Sequence, residues 1–408
     1  MDITIAWRNI WRNPRRTAVI LIAVVIGIWS MVFMGALMRG VEVGMIDNGI
    51  STLTGDLQVH SRNYRNDPIV ENSIREPELV HAALSKVLPP GAHSAFRVRL
   101  NAVAGNARHS AGVTLVGIDA SAEKAVSFIG DAVTDGEYLS ESDANGILVG
   151  QELLETFDTR LGRKIILMAQ DADGEIASKA FRIKGIFQAE MKATEKQFVF
   201  VSGSAARKML KMGNQVSEVC VALPGHRNSE AVVADLRREL GTGGEFEVNT
   251  WRELLPVLNA YLEMSNSFIF IWYVVMFVAM GFGLTNTTLM AVFERMREFG
   301  LLKALGMRPA RIIRQVLIES SIILMIGMVI GNLLGILSVL LLSNTGIDLS
   351  DLAAGVEYAG MSRMIYPVLL ESDILVSNLV VFVLGALVSL YPASKAARFT
   401  PIQAMAQT

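Results

Sequence analysis

Four stretches of this chain, residues 17–38, 268–293, 320–342 and 374–390, contain no Asp, Glu, Lys or Arg. The first would make an α-helix about 33 Å long, against a bilayer hydrocarbon core of about 30 Å. The last is the shortest, and it lengthens if residues 391–393 are included. Each therefore reads as a helix that crosses a membrane. The first is too long for the apolar region of a signal peptide, and no small-x-small cleavage site follows it, so it reads as a retained anchor. Mean hydropathy is +0.40 and 51% of residues are hydrophobic, yet 19% are charged. That is too many charges for a chain wholly inside lipid, and it implies an attached water-exposed domain. A net charge of -2 gives no sign of nucleic-acid binding. Cys220 is the single cysteine, which excludes an intrachain disulfide and a cysteine-based metal site.

Loop charges orient the four spans. Residues 1–16 hold Arg8, Arg12, Arg15 and Arg16, the segment between spans two and three holds six cations, and the tail holds Lys395 and Arg398. Residues 343–373 instead pair the single cation Arg363 with Asp348, Asp351, Glu357, Glu371 and Asp373. Cationic loops stay cytoplasmic, so both termini and the basic loop are expected inside, and the long segment between spans one and two outside. The expected layout is an elbow helix at 1–16, spans at 17–38, 267–293, 316–342 and 374–393, and an external domain with its stalks at 39–266. A cytoplasmic coupling loop at 294–315, an external loop at 343–373 and a cytoplasmic tail at 394–408 complete it.

The basic loop is patterned. Between Arg295, Arg297, Lys303, Arg308, Arg311 and Arg314, the residues Phe299, Leu301, Leu302, Leu305 and Met307 recur at helical spacing, and Gly306 and Pro309 stop the run. This predicts a short helix lying across the membrane surface. Before span one, Ile3, Ala6, Trp7, Ile10 and Trp11 lie on one helical face with Arg8 and Arg12 off it, an amphipathic helix for the interface, and Pro14 permits a turn into the membrane.

The external segment reads as mixed α/β. Strand patterns fall at 56–60, 96–103, 113–118, 146–149, 164–168, 180–187, 197–201 and 216–223, and helical patterns at 77–88, 151–157, 204–212 and 229–240. Val41, Met45, Ile46 and Ile50 keep helical spacing beyond span one, and residues 251–264 do so before span two. Two helical stalks flanking the domain are expected.

Catalytic motifs are lacking. The sequence has no GxxxxGK[ST], GxSxG or HExxH, and the five histidines (His60, His81, His93, His109, His226) match no metal spacing. Neither a stand-alone enzyme nor a bound cofactor or metal is expected. Gly281 and Gly283 inside span two read as close helix packing, and Asn286 and Asn332 as either a polar path or interhelical hydrogen bonds. Glu319, at the start of span three, must face protein, headgroups or a cavity.

The tract from Arg297 to Ser320 resembles the cytoplasmic loop of ABC-transporter permeases of the FtsX/MacB/LolC-LolE type, whose wording is close to E-x-G-(I/L)-(L/M)-(R/K)-A-(L/I)-G. Glu298, Gly300, Leu301, Leu302, Lys303, Ala304, Leu305 and Gly306 match it. The opening from Ala6 to Thr17 is similar to the family's elbow helix, and Gly55 to His60 to the start of its external domain. Val116 to Asp119, Gly146 to Gly150 and Leu161-Gly162 resemble its periplasmic core, and Tyr391-Pro392-Ala393 with Ala396-Ala397 and Pro401 its ending. The resemblance implies four transmembrane helices, a MacB-like periplasmic core domain between helices one and two, and a dimer with a second copy or paralogue. It implies a separate ABC ATPase subunit, itself a dimer, that holds ATP and magnesium and docks on Glu298–Met307, because residues 1–16 leave no room for a fused ATPase domain.

Such permeases carry ATP-driven closure to the external domain, a mode called mechanotransmission. In a bacterial inner membrane, release of lipoproteins to a periplasmic acceptor is the expected task. The alternatives are a permease working with an adaptor and an outer-membrane duct, and a non-transporting regulator of cell-wall hydrolases or a sensor kinase. A lipoprotein's acyl chains would gain access between span one of one protomer and span two of the other, along Met34, Leu37, Met38, Leu258, Tyr261, Leu262 and Met264.

Overall fold

A computed structural model describes residues 2–226, 229–241, 244–349 and 364–398. Asp351, Glu357, Arg363, Pro401 and the rest of the tail beyond 398 lie outside them, as does the side chain of His226. The chain forms two compact units. One comprises residues up to 43 together with 262–349 and 364 onward, and the other is built on 44–261.

The first unit holds the helices. α1 (Asp2–Arg12) is followed by α2 (Pro14–Gly49), which starts at the proline, where a missing N–H costs nothing. Ala6 and Ile10 of α1 are buried, whereas Trp7 and Trp11 are about half exposed and meet edge to face at 5.8 Å. Among the described residues, four helices are long and apolar enough to cross a membrane. After α2 these are a helix at Pro256–Glu294, one at Pro309–Thr345 and one at Glu371–Arg398.

The α/β unit begins with β1 (Leu57–Ser61), α3 (Pro77–Val87), β2 (His93–Gly105), β3 (Ser110–Ile118), α4 (Ala120–Glu123), β4 (Val133–Gly136) and β5 (Gly146–Gly150). It continues with α5 (Gln151–Thr156), β6 (Lys164–Gln170), β7 (Ile176–Phe187), α6 (Lys192–Gln197), β8 (Phe198–Ser202) and α7 (Gly203–Met209). It closes with β9 (Glu218–Ala222), α8 (Ser229–Leu240), β10 (Phe246–Thr250) and α9 (Trp251–Leu254). All eight strands and four helices expected there are present; β4, β10, α4 and α6 were not anticipated. The helices that follow are α10 (Pro256–Glu294), α11 (Met296–Ala304), α12 (Pro309–Thr345) and α13 (Glu371–Arg398), with a short pairing of β11 (Ile347–Asp348) and β12 (Met364–Ile365) between the last two.

Two lobes share the long strand β2. Its first half pairs β9, which pairs β1, which pairs β10, all antiparallel, and α3 and α8 cover that sheet through Val80, Leu84, Val232 and Leu236. Its second half enters a ring β2-β3-β8-β5-β7-β6 that closes, since β6 pairs both β7 and β2. All six strands of this barrel send side chains into one core, including Leu100, Leu115, Val149, Leu167, Phe181 and Val201.

Arg97 is the last β2 residue paired with β9, immediately before the pairing with β3 begins. It is fully buried, with Nε and Nη2 on Glu123 at 2.9 and 2.6 Å, and Nη1 3.3 Å from Glu218. Nη1 also donates to the carbonyl of Leu53. Leu53 lies in a π-type turn (Ile50–Thr54) that ends α2, at φ 148°, a conformation that costs a leucine about 1–3 kcal/mol. Gly55 follows at φ +65°, where a side chain would run into Cys220 Sγ and the Val221 carbonyl. Asp56 is buried, its carboxylate accepting from Leu223 N at 2.6 Å. The Gly55-Asp56 pair thus anchors the end of the stalk to β9.

Burial on its own would raise the Glu218 carboxyl. Arg99, His60 and Arg97 outweigh it and hold it down at about 2. A depressed carboxyl stabilises the fold above its unfolded value of about 4.5 and loses that contribution as pH falls toward 2. Acid unfolding of the purified chain should therefore steepen below pH about 4.5, by on the order of 3 kcal/mol in all. Glu218→Gln should be less stable at pH 7 but flatter across this window. An unchanged slope in a thermal-melt series from pH 7 to pH 3 would remove Glu218 from the account. Burial pushes the Cys220 thiol up to about 12, so it is protonated and unreactive at neutral pH.

The helical unit is packed through small residues. Gly327, Gly331 and Gly335 of α12 face Val24, Ile28 and Val32 of α2, where an added Cβ would come within 2.5–2.9 Å of the valine or isoleucine side chain. Asn332 Nδ2 donates to Asn378 Oδ1 at 2.8 Å and Asn378 Nδ2 returns a bond of 3.1 Å to Asn332 Oδ1. Of the two readings for Asn332, the interhelical one is realised; Asn286 is exposed on α10. At the end of the helices near residue 40, Arg39 reaches Asp373 at 3.0 Å and Glu42 at 2.9 Å, and Ser265 donates to Glu42.

Two expectations need correction. The run before span two is not one stalk, because Leu255 leaves the helical region at φ -118°, ψ 65° and a new helix starts at Pro256. The proline ring disfavours helix for the preceding residue and supplies no N–H. The final helix does not close at Tyr391-Pro392-Ala393 but runs through Pro392 to Arg398. Burial of Ala393 and Ala396 against Ile312 and Val316 outweighs the lost hydrogen bond.

Candidate coupling site at the basic loop

The basic loop forms α11, as its spacing predicts. The helix starts after Arg295 and ends where Gly306 takes φ +92°, and Pro309 opens α12. Phe299 is buried with Val292 of α10, Ile312 and Val316 of α12, and Ala393 and Ala396 of α13. Lys303 Nζ donates to the carbonyl of Ala397 at 2.5 Å. One helix turn therefore touches three of the long helices.

A charge cluster fixes it further. Arg295 is 7% exposed, stacks over Phe299 at 5.1 Å and bridges Glu298 at 3.0 Å and Glu319 at 2.9 Å. Glu319 also accepts from Asn9 at 2.7 Å, Glu298 pairs with Arg12 at 2.7 Å, and Arg16 pairs with Glu294 at 2.7 Å. Burial alone would lower the pKa of Arg295 and raise that of Glu298. The opposite charges prevail and push both the other way, so both stay ionised near neutral pH. The elbow helix α1 is thereby joined to α11 and α12. Glu319 faces protein, one of the settings its cost in lipid demanded.

The matched residues divide. Gly300 is buried, so enlarging it tests the chain's own packing rather than docking. Leu302, Lys303 and Met307 are half-buried. Glu298, Leu301, Ala304, Leu305 and Gly306 are exposed, with Leu301 at 58% and Leu305 at 77%, one turn apart on the outward face. The helix is held rigidly, yet neither leucine is covered by the described part of the chain. Sequence reasoning missed the role of Arg12, Asn9 and Arg295. The signal was there in Glu294, Glu298 and Glu319, three acids in an otherwise basic stretch.

Residues 17–239, more than half of the chain, match the family described as MacB-like periplasmic core domain, and residues 269–401 match the FtsX-like permease C-terminal family. The chain belongs to the FtsX/MacB family of ABC transporter permeases. Permeases of this family work with an ATPase subunit. The permease is 26% identical to the lipoprotein-releasing system transmembrane protein LolC of Xylella fastidiosa strain 9a5c, over 67% of this chain and 66% of that one. It is 24% identical to the macrolide export ATP-binding/permease protein MacB of Escherichia coli K12, over 99% of this chain and 60% of that one. The permease thus spans just under two thirds of the LolC relative and less of the MacB relative. The periplasmic region of MacB from Actinobacillus actinomycetemcomitans is similar over 53% of this chain and 97% of that one, at 13% identity and a TM-score of 0.36.

The residues expected to guide an acyl chain lie on two helices of the permease. Met34, Leu37 and Met38 are half-buried on α2. On α10, Leu258, Tyr261 and Leu262 are half-buried and Met264 is exposed. Leu258 and Tyr261 line an apolar groove of about 420 Å³ with Met45, Gly49, Leu255 and Met191.

Proposed function

We propose that this permease couples ATP hydrolysis in a separate ATPase dimer to work done by its α/β unit across a bacterial inner membrane, and that the work is the release of lipoproteins. In this reading the permease is no enzyme and binds no cofactor; ATP and magnesium belong to the ATPase. Both termini and α11 are cytoplasmic, the α/β unit is periplasmic, and a second copy or paralogue completes the dimer. The carrying observation is the outward Leu301 and Leu305 on a helix clamped to α10, α12 and α13, because force applied there reaches three long helices at once. The membrane placement is supported by charge spacing along α2. Arg16 and Arg39, each ion-paired, are separated by about 34 Å of helix, close to a hydrocarbon core of about 30 Å. Lipoprotein release is favoured by the LolC relative and by an apolar groove that takes in Leu258 and Tyr261. A second reading, export with an adaptor and an outer-membrane duct, is favoured by the MacB match over nearly the whole chain.

Leu301→Asp with Leu305→Asp should weaken capture of the ATPase roughly thirtyfold, the size of an interface hot spot of about 2 kcal/mol, and abolish stimulated hydrolysis. Unaltered copurification would end the docking assignment. Reconstituted with its ATPase, a lipoprotein and a periplasmic acceptor, the permease should move lipoprotein into the soluble fraction on ATP addition. Lipoprotein that stays membrane-bound while macrolide tolerance of cells depends on the chain would transfer the assignment to the second reading.

A further inference from the structure

We propose that a polar cavity lying wholly within the α/β unit is a binding site for a small neutral saccharide. β1 alternates, so Leu57 and Val59 join the apolar core with α3 and α8, and Gln58 and His60 turn to the opposite face of the sheet. Over that face opens a cavity of about 330 Å³, near the low end of the ligand-pocket range of about 300–1,000 Å³. Its floor is polar yet almost wholly buried: Gln58 is 3% exposed, His60 2% and Thr114 7%. Buried polar atoms are nearly always hydrogen-bonded, and each of these side chains carries one that is not. Gln58 Nε2 gives its hydrogens to the carbonyls of Leu53 and Thr54, at 3.1 and 2.9 Å, which leaves Oε1 without a donor. The Thr114 hydroxyl has no partner among the described residues. His60 Nε2 lies 3.7 Å from Glu218, so the neutral ring keeps its hydrogen on that side, and Nδ1, which has no partner, is an acceptor.

What the floor lacks is therefore hydrogen donors, and the surrounding charges decide which kind. A cationic donor is disfavoured, because Arg65 and Arg99 line the cavity and the one carboxylate among the lining residues, Glu218, is already met by Arg97, Arg99 and His60. An anion is disfavoured by the acceptors on the floor, and the two lining arginines are engaged: Arg99 lies 3.5 Å from Glu218, and Arg65 donates to the Glu253 carbonyl at 2.9 Å. A neutral hydroxyl meets both conditions. It donates to the floor and accepts from the side-chain amides of Asn101 and Gln197, which are exposed at the mouth. A sugar presents several hydroxyls on one rigid ring, so little freedom is lost on binding. A peptide would bring side chains as well, and the apolar walls for them are only Leu100, Leu254, Leu255 and Pro68.

The full chain, purified in a sugar-free detergent, would be titrated with glucose, N-acetylglucosamine and maltose, and with triglycine, following binding by calorimetry and ligand-observed NMR. At least one sugar should bind with a Kd below about 10 mM, and triglycine should not bind. Thr114→Val removes the hydroxyl and keeps the β-branched shape, so sugar affinity should fall about tenfold with melting unchanged or raised. Asn101→Trp should fill the mouth and abolish binding, and Gln197→Trp, at the same mouth, replaces it if that variant does not melt like wild type. No sugar bound by wild type leaves the cavity to water and overturns the proposal. Triglycine bound in place of sugar also overturns it and assigns the cavity to peptide. Sugar binding undiminished in both Thr114→Val and a well-folded tryptophan variant places the sugar elsewhere and overturns the site.

Discussion

Replacing Arg97 with alanine is expected to lower the stability of the α/β unit by about 3–5 kcal/mol, because the buried Glu123 would lose the guanidinium it pairs with and Glu218 would keep only Arg99 and His60. Against a typical domain stability of about 5–15 kcal/mol this is a large fraction. The loss should be felt at the end of α2 as well, since the same guanidinium holds the Leu53 carbonyl in its strained turn. Hydrogen exchange on the full chain should show faster exchange at Leu53, Gly55 and Asp56, at β9 and along the first half of β2. Arg97→Lys should lose less stability, yet it cannot reproduce the planar fork that contacts Glu123 through two nitrogens. Melting and exchange unchanged in Arg97→Ala would mean that the buried charges are satisfied by other groups.

Gly331→Leu is the second large effect. A Cβ there falls 2.7 Å from the Ile28 Cβ and 3.0 Å from the Val25 carbonyl oxygen, atoms fixed to the α2 backbone. No rotamer change relieves that overlap, so α2 and α12 must separate, and the close approaches at Gly327 and Gly335 are lost with it. Overpacking costs about 1–3 kcal/mol at an ordinary core site, and three linked contacts place this one at the upper end or above. The purified variant should melt well below wild type in detergent. Leu333→Ala, at a position 63% exposed on the same helix, should change little. Equal melting of Gly331→Leu and wild type would show that the two helices do not depend on the glycine face.

The helices and most strands could be read from the sequence because their signal is local: an uncharged run, a period of two, a period of 3.6. The pairing order could not. β1 lies between β9 and β10, strands roughly 160 and 190 residues later in the chain, and nothing in a single strand's alternation names such a distant neighbour. Arg97 and Glu218 sit within predicted strands as ordinary charges, and only three-dimensional convergence shows that they face one another. The break at Leu255 was legible in principle, since the residue before a proline resists helix. So was the glycine face of α12, whose three members recur every fourth residue; the sequence reading took up Gly281 and Gly283 on α10 instead. In the coupling site, the helix and its stop were apparent from spacing, whereas the outward turn of Leu301 and Leu305 and the inward turn of Phe299 and Gly300 depended on which helices happen to flank α11.

The reciprocal amide pair of Asn332 and Asn378 acts as an alignment key between α12 and α13. Sliding one helix past the other by a single turn, about 5.4 Å, would break both bonds of the pair, leave each amide only its bond to its own helix at Met328 or Ile374, and carry Gly385 away from the Leu324 side chain it accommodates. The two helices therefore translate together or not at all. A stroke delivered through Phe299 and Lys303 would be received by a two-rod piston head, with no freedom to dissipate it in slippage between the rods.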